Sequence, residues 1–108
     1  MTKQIPTVIE SYFAASNADD IYALVACFTT DASVADENQT HRGTTEIKAW
    51  AQDVRRKFQF KTEPLRASER ADGVVVSAKL SGNFPGSPVN LDFTFNLENN
   101  KIKSLDIG

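Results

Sequence analysis

The 108-residue sequence holds one cysteine, one histidine and one tryptophan, and its net charge is only −2. Each scarcity removes a class of protein. A lone Cys27 excludes an internal disulfide and a disulfide-stapled scaffold. It sits in a helical stretch beside Phe28, with no basic neighbour in sequence to lower its pKa, so it reads as packing rather than as a nucleophile. The balanced charge leaves no basic patch of the kind that displaces counterions from phosphates, so no nucleic-acid partner is expected. Arg55-Arg56-Lys57 is a short basic run at the end of a helical stretch, where cations complement the helix dipole. No apolar segment is long enough to span a bilayer. Met1-Thr2-Lys3-Gln4 lacks the apolar run of a secretory signal, which makes a cytoplasmic protein with no membrane partner the expectation.

Cofactor signatures are equally scarce. His41 lies near Asp36 and Glu37, but the three have no recognisable metal-ligand spacing, so no metal is expected. There is no G-x-S-x-G nucleophile elbow and no Gly-rich phosphate loop. Ser81-Gly82 and Pro85-Gly86-Ser87 read as turn chemistry. Nothing in the chain implies a nucleotide, flavin or haem; the expected cofactor is none.

What the chain does have is hydrophobic patterning. Apolar residues make up 41% of it, including seven Phe, enough for the core of one domain spanning residues 1–108. The first half has helical periodicity. Ile5, Val8, Ile9, Tyr12 and Phe13 form one stripe, with Pro6 tolerated in the first turn, and Ser16-Asn17-Ala18 breaks the pattern. Asp19 is a suitable N-cap for a second short helix, whose stripe is Ile21, Leu24, Val25 and Phe28. A third helix follows Gly43, with Ile47, Trp50, Ala51, Val54 and Phe58 on one face and Glu46 in its first turn. Between the second and third helices, Ser33 to Asp36 reads as one short strand that turns abruptly polar.

The second half alternates with period two. Asp72-Gly73 marks a turn between extended runs. Val74, Val76, Ala78 and Leu80 face one way; after the loop Phe84-Pro85-Gly86-Ser87-Pro88, so do Val89, Leu91, Phe93, Phe95 and Leu97. Glu98-Asn99-Asn100 turns into a last strand from Lys101 to Ile107. The expected class is α+β: three N-terminal helices packed on a strongly curved antiparallel sheet, a cone-shaped barrel with a cavity between the layers.

Tyr12-Phe13, Asp19-Asp20-Ile21, the run Phe28-Thr29-Thr30-Asp31-Ala32-Ser33-Val34-Ala35-Asp36, and Arg42-Gly43-Thr44-Thr45-Glu46-Ile47 occur in an order that resembles the NTF2-like superfamily, also called SnoaL-like or ketosteroid-isomerase-like. The likeness covers almost the whole chain. It implies a curved sheet with a helix-lined pocket, assembled as a homodimer through the outer sheet surface. Its members include isomerases, cyclases, dehydratases, hydrolases and non-catalytic binding domains, so it does not select an activity.

The residues themselves point to Asp36. Alternation puts Ala32, Val34 and Asp36 on one face; if Val34 faces the core, so does Asp36. A carboxylate withdrawn from water becomes a better proton acceptor and could serve as a general base at a carbon next to a carbonyl. The resemblance to ketosteroid isomerases places Asp36 at their general base and Tyr12 at their oxyanion-hole tyrosine. Their second donor falls on Phe93, with Asp92 pointing to the opposite face, so one oxyanion donor is missing. Structural roles are the alternatives: Asp36 could accept backbone hydrogen bonds or pair with Arg42, Tyr12 could be a core tyrosine, and His41 a solvated loop residue. His41 otherwise joins Asp36 and Tyr12 as a catalytic candidate. Phe28, Val34, Trp50, Val54, Phe84, Phe93 and Phe95 are the candidate ligand-binding walls.

Two functions follow. One is a cofactor-free isomerase or cyclase acting by proton transfer on a small apolar carbonyl compound. The other is a non-catalytic small-molecule-binding or dimerisation domain, favoured by the apolar Phe93 and by a last strand with no extension to close the cavity. The expected dimer face carries Val75, Ser77, Lys79, Thr94 and Asn96.

Overall fold

A computed structural model describes residues 5–36, 38–57, 59–70 and 73–108. Glu37, Phe58, Asp72 of the expected turn and the first four residues lie outside the described residues. The element order is α1 (Thr7–Ala18), α2 (Ile21–Ala26), β1 (Phe28–Asp36), β2 (Gln39–Arg42), α3 (Gly43–Lys57), β3 (Phe60–Arg70), β4 (Gly73–Gly82), β5 (Val89–Glu98) and β6 (Lys101–Ile107). The helices pack on one face of a curved six-stranded sheet of order β2-β1-β6-β5-β4-β3. The α+β class and the cone-shaped arrangement are therefore as the sequence implies. No helix among the described residues is long and apolar enough to cross a membrane.

Several details differ from the sequence reading, among them Phe28, expected on the second helix, which begins β1. First, the polar stretch after Asp36 is a strand, β2, which pairs Asp36 with Gln39 and Val34 with His41. Asn38 enters this hairpin with φ 65°, a left-handed conformation that asparagine tolerates better than most residues. All four β2 residues are polar because the strand forms the sheet edge, so no alternation announces it. Second, β1 and β6 pair in parallel. The meander β3-β4-β5-β6 runs through three reversals, and its last strand arrives beside β1 in the same direction. Third, Asp19 ends α1 in the left-handed region at φ 60°, and the N-cap of α2 is Asp20, whose carboxylate accepts from the Ala23 N–H at 3.1 Å.

Helix α1 also runs through Ser16-Asn17-Ala18 rather than breaking there. Asn17 is used as a clamp: its Nδ2 donates to Thr62 O and its Oδ1 accepts from Thr62 N, both at 2.8 Å. Thr62 lies on β3, the opposite sheet edge, so one side-chain amide completes an otherwise unpaired backbone position. At the start of α3, Gly43 adopts φ 82°, which glycine reaches without a Cβ penalty. The Glu46 carboxylate turns back to accept the Arg42 N–H at 2.7 Å.

The inner sheet face is organised in rows by its register. Val74 pairs with Phe95, Phe95 with Leu105, Leu105 with Val34, and Val34 with His41. The neighbouring row holds Val76, Phe93 and Ile107 and, one residue past the Ala35–Asp106 pair, Asp36 and then Gln39. Helix α1 lays Tyr12 and Phe13 across both rows, with edge-to-face contacts of Tyr12 to Phe95 at 5.6 Å and of Phe13 to Phe93 at 5.3 Å. Ile9, Val34, Ile47, Val76, Phe95 and Ile102 have no solvent exposure. Each such side chain stabilises the fold by about 1.5–3 kcal/mol relative to exposure. This tightly packed end closes the cone, and its other end stays open.

Candidate functional site

The open end of the cone is a cavity of about 540 Å³ between the helices and the sheet. Its floor is the row Phe93, Ile107, Asp36 and Gln39; Leu91, Leu80 and Thr62 extend it toward the mouth. Helix α1 contributes Tyr12 and Ser16, and α3 contributes Trp50, Ala51 and Val54.

Asp36 points inward, on the face of Ala32 and Val34, and is half-buried. The Trp50 indole Nε1–H donates to its Oδ2 at 3.0 Å. That bond ties the end of β1 to the second turn of α3 and fixes one carboxylate oxygen. Asp36 forms no ion pair among the described residues, and Arg42 is exposed on the other face of β2.

Tyr12 is buried by an aromatic collar. Phe13, Phe28 and Phe95 meet its ring edge-to-face, with centroids 5.2, 6.0 and 5.6 Å away. Its phenol is held well above the ordinary value, first by burial and then by the nearby Asp36 charge, with Arg55 pulling the other way and Cys27 adding a smaller upward push. The group therefore stays a neutral O–H donor across the physiological range. Asp36 and Tyr12 both border the same cavity. His41 is opposite Val34 in the hairpin, so it too faces inward, its ring 6.1 Å from that of Trp50.

The cavity thus brings together Asp36, Tyr12, His41, Trp50, Val54, Phe84 and Phe93. Phe28, Val34 and Phe95 do not border it; they are buried in the closed end of the cone. The expectation that these three form walls is corrected for a geometric reason. Period two assigns a face, and Val34 and Phe95 share the correct face, but they sit one row deeper than Asp36 and Phe93. Phe28 lies deeper still, paired with Ile102.

Arg55 borders the cavity as well, and its role exceeds that of a cation at a helix end. Its guanidinium lies 4.4 Å from the Phe60 ring centre, donates to Phe60 O at 2.9 Å and Ser16 Oγ at 3.3 Å, and approaches Asp19 at 3.6 Å. It locks α1, α3 and β3 together where they form the rim. The sequence carried a signal for this: Arg55 follows Ile47 and Ala51 at four-residue steps, on the buried stripe. Gln39 was hidden by the unrecognised β2.

Cys27 caps α2, buried, its Sγ donating to Ala23 O at 3.4 Å. Burial pushes its thiol pKa up, opposed by Lys101, which suits packing. Among the described residues no three His, Cys, Asp or Glu side chains gather as a metal site would require.

A family model described as a SnoaL-like domain matches residues 9–104. The chain belongs to the SnoaL-like family. No curated protein matches it. Among solved structures, this SnoaL-like chain is similar to a protein of Sinorhizobium meliloti proposed to be a polyketide cyclase, at 36% identity over 96% of this chain and 95% of that one, with a TM-score of 0.93. A protein of Catenulispora acidiphila with a ketosteroid isomerase-like fold, solved with trimethylamine, has 19% identity over 97% and 86% of the chains and a TM-score of 0.85. An epoxide hydrolase/cyclase-like enzyme with a role in pyran ring formation in the polyether salinomycin has 20% identity over 93% and 85%, and a TM-score of 0.80. These last two likenesses concern the fold. The SnoaL-like domain is thus a pocket protein whose cavity is bordered by the Asp36 carboxylate and the Tyr12 phenol.

Proposed function

We propose that this domain is a cofactor-free isomerase or cyclase that transfers a proton within a small apolar carbonyl compound. The observation that carries this reading is Asp36 and Tyr12 facing one apolar cavity, with Trp50 holding Asp36 Oδ2 at 3.0 Å. In the proposed step the substrate carbonyl oxygen accepts a hydrogen bond from Tyr12. Asp36 takes the proton from the adjacent carbon; the C–H electron pair becomes the enolate C=C bond as the C=O pair moves to oxygen. In a β,γ-unsaturated ketone the dienolate takes the proton back from Asp36 at the γ-carbon, which moves the double bond; in a substrate with a second carbonyl the enolate carbon attacks that carbonyl carbon, the C=O electron pair moves to its oxygen, and that oxygen takes the proton from Asp36, which closes a ring. Tyr12 stabilises the oxyanion throughout, and its neutral state is what that task needs. The relative proposed to be a polyketide cyclase supports this class of chemistry.

The test needs no knowledge of the natural substrate. Apolar ketones dissolved with the protein in D2O should exchange their α-hydrogens faster than in buffer, as read by proton NMR. Asp36→Asn should remove roughly 10²–10⁴-fold of that acceleration, the range for a positioned general base. Native protein that accelerates no ketone in a broad panel, or Asp36→Asn protein that exchanges as fast as native, overturns the catalytic reading.

One observation favours a second reading. Phe93 occupies the floor next to Ile107 and Asp36, so Tyr12 has no second donor there. A non-catalytic binding domain needs none. That version predicts ligand binding without exchange. In either version we propose a homodimer through the outer sheet face, where Val75 and Thr94 pair and are only half-buried in the single chain. Sedimentation should show twice the monomer mass at micromolar concentration, and Val75→Arg should halve it.

A further inference from the structure

The carboxylates around the cavity fall into two groups. Asp19, Asp20 and Asp53 lie at the rim, and all are satisfied there: Asp19 faces Arg55 at 3.6 Å, Asp53 faces Lys57 at 3.5 Å, and Asp20 caps α2 through the Ala23 N–H at 3.1 Å. Asp36 lies inside. Its hydrogen bond comes from a neutral indole, and it has no ion-pair partner among the described residues. The rim cations that could have compensated it are already engaged: Arg55 also donates to Phe60 O and Ser16 Oγ.

The interior therefore holds a carboxylate that forms no ion pair with a cation among the described residues, within walls that are mostly apolar. Water screens a charge poorly inside such walls, so the sign of an entering group matters there more than at a surface. We infer that the cavity sorts ligands by charge through Asp36: it admits uncharged apolar molecules, holds apolar ammonium compounds in competition with them, and rejects apolar anions. An ammonium group donates its N–H to the Asp36 carboxylate and its positive charge completes the pair. An anion of the same shape faces the carboxylate with nothing to neutralise it. The inference rests on the cavity being a ligand site, which both readings above share, and not on turnover.

Three probes of one shape test it: cyclohexyl methyl ketone, cyclohexylmethylammonium and cyclohexanecarboxylate. Calorimetric titration at pH 8 gives their Kd values. Emission of Trp50, the sole tryptophan, reports whether each reaches the Asp36 end. The ammonium probe should bind at least about tenfold tighter than the carboxylate, which is about 1.4 kcal/mol, and should displace the ketone. In Asp36→Asn the gap between ammonium and carboxylate should shrink to less than about threefold while ketone binding persists. Asp31→Asn, which removes an exposed carboxylate of β1 outside the cavity, should keep the native ranking.

A carboxylate probe that binds as tightly as the ammonium probe to the native protein overturns the inference and leaves the pocket reading standing. So does a ranking that survives Asp36→Asn or is lost in Asp31→Asn. Failure of all three probes to bind at millimolar concentration removes the pocket reading itself, and this inference with it.

Discussion

The Trp50 indole nitrogen donates to Asp36 Oδ2 at 3.0 Å, and this bond joins the helix that roofs the cavity to the strand that floors it. It fixes one oxygen of a carboxylate that borders the cavity. Trp50→Phe keeps most of the ring and removes the donor. A hydrogen bond to a charged, half-buried acceptor is worth roughly 1.5–3 kcal/mol. Urea unfolding should show a loss near the lower end of that range, about 1–2 kcal/mol. The α-hydrogen exchange rate should fall about tenfold, because the base loses its fixed aim. Trp50→Tyr, which keeps a polar ring but moves the donor, should not restore the rate.

Tyr12→Phe separates chemistry from packing. The aromatic collar of Phe13, Phe28 and Phe95 is kept, so stability at neutral pH should change by less than about 1 kcal/mol. Loss of an oxyanion donor should cut exchange about 10²–10³-fold.

The same residue sets an alkaline limit on stability. Burial and the Asp36 charge raise the Tyr12 pKa above its reference of 10.0. The native state thus keeps a proton that the unfolded state releases. The contribution is fully present below pH 10 and is lost as pH rises through the folded-state value. Urea midpoints of the native chain should therefore fall steadily above pH 10, and those of Tyr12→Phe should fall less steeply over the same interval.

Asn17 holds the free edge of β3 with two hydrogen bonds to Thr62, each 2.8 Å long. Asn17→Ala leaves that part-buried backbone donor and acceptor without a partner, at a cost of about 2–3 kcal/mol in chemical denaturation. Asn17→Asp restores the acceptor but not the donor and should recover only part of the loss.

Arg55 should resist even conservative change. A lysine has no planar group to lie over the Phe60 ring and reaches Phe60 O, Ser16 and Asp19 only one at a time. Arg55→Lys should lower the unfolding free energy by about 1–2 kcal/mol. The added rim motion should weaken binding of the ketone probe several-fold, as read by calorimetry.

Much of this architecture was legible from periodicity. Val74, Val76 and Ala78 on β4, and Phe93 and Phe95 on β5, are buried as their alternation demands. Ile47 and Ala51 mark the buried stripe of α3. The inward aim of Asp36 followed from a two-residue step past Val34. Strand β2 was not legible, because an edge strand exposed to water has no reason to alternate. The exchange of Asp19 for Asp20 at the α2 N-cap was equally hidden. Both are aspartates, and only the left-handed turn that ends α1 decides which carboxylate faces the helix.

Local pattern thus determined which elements form and which face each side chain takes, since both depend on steps of two or about 3.6 residues along one chain. Depth was decided only by the tertiary structure. Phe93 and Phe95 have the same face and nearly the same neighbours in sequence, yet one floors the cavity and the other fills the core. The difference comes from the register of β5 against β6 and of β6 against β1, which sets how far each row lies from the open end. The meeting of Asp36, Tyr12 and Trp50 from three separate elements is a product of that same register, because no periodicity within one segment encodes a distance to another.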